Sequence, residues 1–223
     1  MSRHACFPLV IAATLLAGGG ASSGQARHPV SGRLIANVMG HQGAAWLDRP
    51  EREREEAPSK AIAALVIKDG ATVADVGAGS GYYTILLARA VGERGRVYAT
   101  DIQPEMLLLI KQKIGASNVS NVELVLGTET DPKLPAGSID LVLMVDVYHE
   151  LAQPQAMVRA LRNALKKDGR LVLIEFRKES PDVPIREEHK MTVRARIELE
   201  AEAYKFDRVI DVLPWQHVIV FRP

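Results

Sequence analysis

One stretch of the 223-residue sequence is dense in residues suited to holding a ligand: Asp75-Val76-Gly77-Ala78-Gly79-Ser80-Gly81. Glycine serves where a backbone must turn tightly and approach a bound molecule with no Cβ in the way. The N–H groups that open the following helix point at the same place. Nicotinamide and flavin folds use G-x-G-x-x-G, whose third glycine lets helix and strand close around a pyrophosphate; here that position is Tyr82. An acid two places before the first glycine sits badly beside a pyrophosphate and well beside the ammonium of an amino acid. Asp101 follows at the end of the next strand, where a carboxylate accepts both hydroxyls of a ribose. It also suits the cap of the turn before Gln103-Pro104.

A second cluster, Asp146-Val147-Tyr148-His149-Glu150, places polar side chains just past a strongly apolar run. His149 is the candidate general base, since its ordinary pKa lies near working pH; the alternative is a structural histidine hydrogen-bonded beneath the loop. Tyr148 and His149 are the candidate substrate-binding residues, and Glu150 is expected to cap the turn that follows. His41, Trp46, His189 and His217 either face a substrate or are ordinary surface or core residues. The histidines show no metal-ligand spacing, so no metal site is expected.

The elements that must carry these residues are legible from periodicity. Ile62, Leu65 and Val66 sit at helical spacing before the stop at Asp69-Gly70, and Val73–Val76 is a short buried strand. A helix over Tyr82–Val91, a strand over Arg96–Thr100 and a helix from Pro104 to about Ile114 follow. Strands are expected at Val122–Leu126, Ile139–Val145 and Leu171–Phe176, with a helix marked by Met157, Leu161 and Leu165 before the last. Between Met191 and Ala203 the apolar residues alternate as in a strand, but the Ala, Glu, Leu and Arg composition favours a helix. Phe206–Leu213 and Trp215–Phe221 form a closing pair. Strands alternating with helices imply an α/β, doubly wound, mostly parallel sheet with helices on both faces. Ligands bind such a sheet beyond the carboxyl ends of its strands.

Length allows one medium domain plus a leader. Net charge of +1 gives no pull toward nucleic acid or anionic membrane. Residues 1–26 read as a secretory signal peptide: Arg3 and His4, an apolar run from Phe7 to Ala17, then small residues with cleavage after Ala21 or Ala26. That run is too short for a stable membrane span. The chain is exported or periplasmic if the leader is used, and cytoplasmic if translation starts at Met39. Cys6 lies in the leader, so the processed chain would carry no thiol for a disulfide, a zinc–thiolate site or cysteine catalysis. Residues 27–56 are a polar, charge-rich segment: a solvated arm, a short helix packed by Trp46 and Leu47, or a lid over a pocket.

The glycine loop with Asp101 resembles the first two cofactor motifs of the class I, Rossmann-like S-adenosylmethionine-dependent methyltransferases. The likeness runs from Ala57 to Phe221 and includes Leu165-Lys166-Lys167-Asp168-Gly169-Arg170-Leu171, which is similar to that family's junction into strand five. The resemblance implies a seven-stranded sheet with an antiparallel C-terminal strand. It implies S-adenosyl-L-methionine as cofactor, held by Asp75, Gly77, Ala78, Gly79, Gly81, Asp101 and Ile102, with Thr128 and Glu129 near the adenine and Asp146 at the methionine end. The Asn/Asp-Pro-Pro-aromatic motif of DNA amino-methyltransferases is missing at Asp146–Glu150, which disfavours nucleic acid and leaves a small-molecule acceptor. That segment, with Trp46-Leu47-Asp48-Arg49-Pro50-Glu51-Arg52, resembles bacterial methyltransferases of unassigned substrate. Rival readings are an NAD(P)-dependent oxidoreductase of related fold and a non-catalytic cofactor-binding protein.

Overall fold

A computed structural model describes residues 26–223; the leader-like segment and Cys6 lie outside the described residues. The sheet is built on β1 (Thr72–Val76), β2 (Arg96–Asp101), β3 (Val122–Leu126), β4 (Ile139–Val145) and β5 (Leu165–Arg177), all parallel. Two short late strands, β7 (Lys205–Ile210) and β8 (Gln216–Arg222), close it, with β8 antiparallel to both β5 and β7. The spatial order is β3-β2-β1-β4-β5-β8-β7. Chain order therefore reverses between β1 and β4, and the carboxyl ends of those two strands flank a crevice.

β4 shows why the sheet needs two helical layers. Leu141 and Leu143 pack on one face with Val73, Leu87 and Val91, while Val142 and Met144 pack on the other with Met157, Leu161 and Phe221. Alternating side chains of an apolar strand go to opposite faces, so both must be covered. On the first face lie α3 (Pro58–Ala64), α4 (Tyr82–Ala90) and α5 (Pro104–Ser117). On the second lie α6 (Pro154–Ala164) and α7 (Arg196–Glu200).

Three expectations are corrected. The sheet has eight strands, because Lys190–Met191 forms β6 and pairs in parallel with Phe176 and Arg177. The helix expected over 191–203 is confined to Arg196–Glu200, after a 3-10 turn at Val193–Ala195. The alternation held at its start: Met191 is drawn into the core as an extended residue before helix propensity takes over. Strand β5 also begins earlier than Leu171, at Leu165, and its pairing with β4 slips between Ile139 and Leu141. At Gly169 a Cβ would stand 2.9 Å from the Ile139 carbonyl oxygen, so the detour passes too close to β4 for a side chain.

Residues 27–56 include short helical segments. They carry α1 (Ala44–Leu47) and α2 (Arg52–Glu56) and pack across the carboxyl end of the sheet. Glu56 is fully buried, paired with Arg52 at 2.8 Å and also with Arg49. Arg33 nearby ion-pairs with buried Glu198 of α7 at 3.0 Å and donates to the carbonyl oxygens of Tyr148 and His149. Among the described residues no helix is long and apolar enough to cross a membrane.

Candidate active site

The glycine loop leaves β1 with Gly77 at φ +69° and Gly79 at φ +55°, both in the left-handed region that favours glycine. A Cβ at Gly77 would stand 2.6 Å from Val147 Cγ2, and one at Gly79 would stand 2.8 Å from Leu47 Cδ1. The loop is thus clasped between the β4 turn on one side and the N-terminal segment on the other. Asp101 ties it down: Oδ2 accepts the Gly79 N–H at 3.0 Å and Oδ1 accepts the Gln103 N–H at 2.9 Å. Burial raises the Asp101 pKa, against the opposing pull of those backbone donors. Each oxygen keeps a lone pair for a further donor.

Beyond these residues opens a cavity of about 340 Å³, within the range of small-molecule and cofactor sites. Gly77, Gly79, Asp101, Ile102, Thr128 and Asp146, all expected at the cofactor, line it. Ile102 remains 38% exposed there, an apolar surface offered to a flat ring. Asp75 and Ala78 line a smaller hollow alongside, shared with Gly77, Gly79, Arg52 and Tyr83. Gly81 and Glu129 line neither. Gly81 instead lets α5 approach, since a Cβ there would meet Ile110 at 3.0 Å.

The polar end of this space is unusually charged for its burial. Asp75 accepts a 2.6 Å bond from the Thr84 hydroxyl, and burial pushes its pKa up to about 6. Asp146 sits at φ +54° at the end of β4 and accepts from Gln216 Nε2 at 2.7 Å through Oδ2. Its other oxygen, Oδ1, is buried with no partner among the described residues, as are Tyr83 Oη and Gln216 Oε1. Burial, reinforced by Glu56 and Glu175, raises the Asp146 pKa well above the usual carboxylate range. Buried polar atoms are nearly always paired, so the orphaned Asp146 Oδ1 on the cavity wall marks a place for a polar ligand group.

The turn after β4 splits its residues. Tyr148, expected at the substrate, does not line the cavity: it is fully buried in the core with its hydroxyl 3.3 Å from His28 Nε2. The 3-10 turn Tyr148–Glu150 sends it back beneath the sheet, where His28 and Arg33 cover it. His149 and Glu150 do line the cavity. The His149 ring joins Glu175 at 2.6 Å through Nδ1 and His189 at 3.0 Å through Nε2. Burial alone would lower the His149 pKa, but Glu175 and Glu150 outweigh it and push it up to about 10. His149 thus reaches the cavity as expected, with its inner nitrogen held by Glu175. Glu175, which was not singled out in the sequence, was visible as a charge inside the apolar run Leu171–Phe176. Trp46 and His189 reach the cavity wall, whereas His41 and His217 do not.

Residues 74–173 match the family described as Methyltransferase domain. The chain is 29% identical over 113 residues to the ubiquinone/menaquinone biosynthesis C-methyltransferase UbiE of Escherichia fergusonii, covering 50% of this chain and 45% of that protein. It is 29% identical over 109 residues to a demethylmenaquinone methyltransferase of Bacillus mycoides, covering 49% and 46%. The matched stretch thus spans under half the length of these relatives. The crystal structure of an S-adenosylmethionine-dependent methyltransferase from Aquifex aeolicus superposes with a TM-score of 0.78 at 29% identity, covering 82% of this chain and 98% of that one.

Proposed function

We propose that this chain, which belongs to the class I S-adenosylmethionine-dependent methyltransferases, transfers a methyl group to a small-molecule acceptor held in the cavity beyond β1 and β4. The observation that carries the reading is the joint placement of Asp101, the clasped glycine loop and the buried, unpaired Asp146 Oδ1 on the wall of one cavity. The cavity fits the cofactor in shape and in chemistry. Asp101 has lone pairs for the ribose hydroxyls, Ile102 offers a surface to the adenine, and the unpaired Asp146 Oδ1 offers an acceptor for the ammonium of the amino-acid end. The sulfonium, when bound, supplies an already activated methyl group.

What the protein must add is alignment, and holding two reactants in line is worth about 7–11 kcal/mol of barrier. Trp46, Leu47 and Met39 from the N-terminal segment, with Ile185 and Phe176 opposite, give the cavity apolar walls that exclude water from the acceptor. The quinone precursors named for two relatives suggest a flat, partly apolar acceptor as the first class to screen. We also propose that residues 1–26 direct export; N-terminal sequencing that starts at Ser22 or Arg27 supports this, and a start at Met39 rejects it.

The cofactor assignment is tested by calorimetric titration of Asp101→Ala with S-adenosylmethionine. Loss of charge-assisted hydrogen bonds, at about 1.5–3 kcal/mol each, should weaken binding roughly 100-fold. Unchanged affinity in a folded variant rejects the assignment.

A further inference from the structure

The cavity wall holds a group of side chains that methyl transfer alone does not explain. His149 Nε2, His189 Nδ1 and a Glu150 carboxylate oxygen all lie within 4.8 Å of one another, and all three residues line the cavity. The pair separations are 3.0 Å between the two imidazole nitrogens, 3.7 Å from His149 Nε2 to Glu150 Oε1, and 3.8 Å from His189 Nδ1 to the same oxygen. A point equidistant from three corners so spaced stands roughly 2.1 Å from each, the length of a zinc bond to nitrogen or carboxylate oxygen (about 2.0–2.2 Å). The triangle therefore holds an ion without moving its corners apart.

The surroundings match what a metal site needs. A ligating imidazole is normally oriented by a carboxylate on its other nitrogen. Here Glu175, fully buried, takes His149 Nδ1 at 2.6 Å through Oε2 and the Tyr148 N–H at 2.8 Å through Oε1. Both of its oxygens are thereby fixed, and His149 Nε2 is aimed at the triangle. Glu150 is held likewise, its Oε2 accepting the Met39 N–H at 3.2 Å and leaving Oε1 toward the histidines.

We propose that His149, Glu150 and His189 ligate a divalent transition-metal ion in the cavity wall, with Glu175 as the outer carboxylate that orients His149. Two imidazoles and one carboxylate suit zinc and its first-row neighbours rather than magnesium or calcium, which prefer all-oxygen shells. Three protein ligands leave a coordination position open, as catalytic rather than structural sites do. All three ligands line the cavity, so an acceptor oxygen is the class of group that would complete the shell. The sequence hid this set because the ligands come from two separate turns, Tyr148–Glu150 and Glu187–His189, rather than from one helix or loop.

The test uses neither cofactor nor acceptor, so its outcome is independent of the methyl-transfer reading. The untagged full chain, stripped with a chelator, is titrated with Co²⁺ and followed by visible absorption, and with Zn²⁺ by calorimetry. One ion per chain is expected, with a rise in unfolding temperature on loading. His189→Ala and Glu150→Gln should each weaken binding at least 100-fold and abolish that rise, while Glu175→Gln weakens it about 10- to 100-fold. His41→Ala, outside the cavity, should bind as the parent does. No binding by the parent chain, or equal binding by folded His189→Ala and Glu150→Gln, overturns the site and leaves the histidines a hydrogen-bonded pair.

Discussion

Asp75 shows how a single buried acid couples ligand chemistry to stability. Its folded pKa of about 6 lies above the ordinary 3.8 because burial disfavours the charged form. The stabilisation tied to its proton is complete below the unfolded value and is lost as pH rises through the folded one. The full shift is worth about 3 kcal/mol, of which about 2 falls between roughly pH 4.5 and 7.5. Asp75→Asn should therefore gain about 2 kcal/mol on the parent over that interval in urea unfolding, while losing cofactor affinity. A gap that stays constant with pH would reject the burial argument. Gly77→Ala meets two obstacles at once, a left-handed φ and Val147 at 2.6 Å, and should lose about 2 kcal/mol or more of stability. Asp101 and the loop were legible in sequence because their roles depend on local spacing along consecutive strands. Tyr148, one residue from His149, was misplaced because a 3-10 turn, invisible to strand and helix periodicity, decides which of the two faces the cavity. His189 was legible only as a residue type, since its neighbours come from a distant turn.

At the scale of elements, the strands were the most readable part. The bounds of β3 and β4 coincide with expectation, because runs of buried apolar residues end where the sheet ends. The C-terminal region was less so: Met191 obeys sheet pairing while Arg196–Glu200 obeys helix propensity, and no local rule marks the switch. In residues 27–56 the charge run hides a buried acid, because Glu56 resembles a surface residue in sequence while Arg49 and Arg52 pair with it in the interior. Breaking such a buried pair leaves a charge uncompensated. Arg52→Ala should cost about 3 kcal/mol, moderated by Arg49, and lower the unfolding temperature by roughly 6–12 °C. Glu123→Ala, which breaks an exposed pair with Arg96, should leave that temperature unchanged. Equal effects of the two in thermal unfolding would contradict the packed arrangement of the N-terminal segment.

For the whole molecule, the sheet order places the carboxyl ends of β1, β2 and β4 around one crevice, and the N-terminal segment and the 184–189 turn close it. Glycine spacing, two acids on consecutive strands and the unpaired Asp146 Oδ1 on the cavity wall then converge on one ligand class, a cationic amino-acid nucleoside rather than a dinucleotide. Titration calorimetry of the parent chain with S-adenosylmethionine and, separately, with NAD puts that convergence to the test. The account predicts one S-adenosylmethionine bound per chain and no heat from NAD. Saturable NAD binding with none of the sulfonium would contradict it.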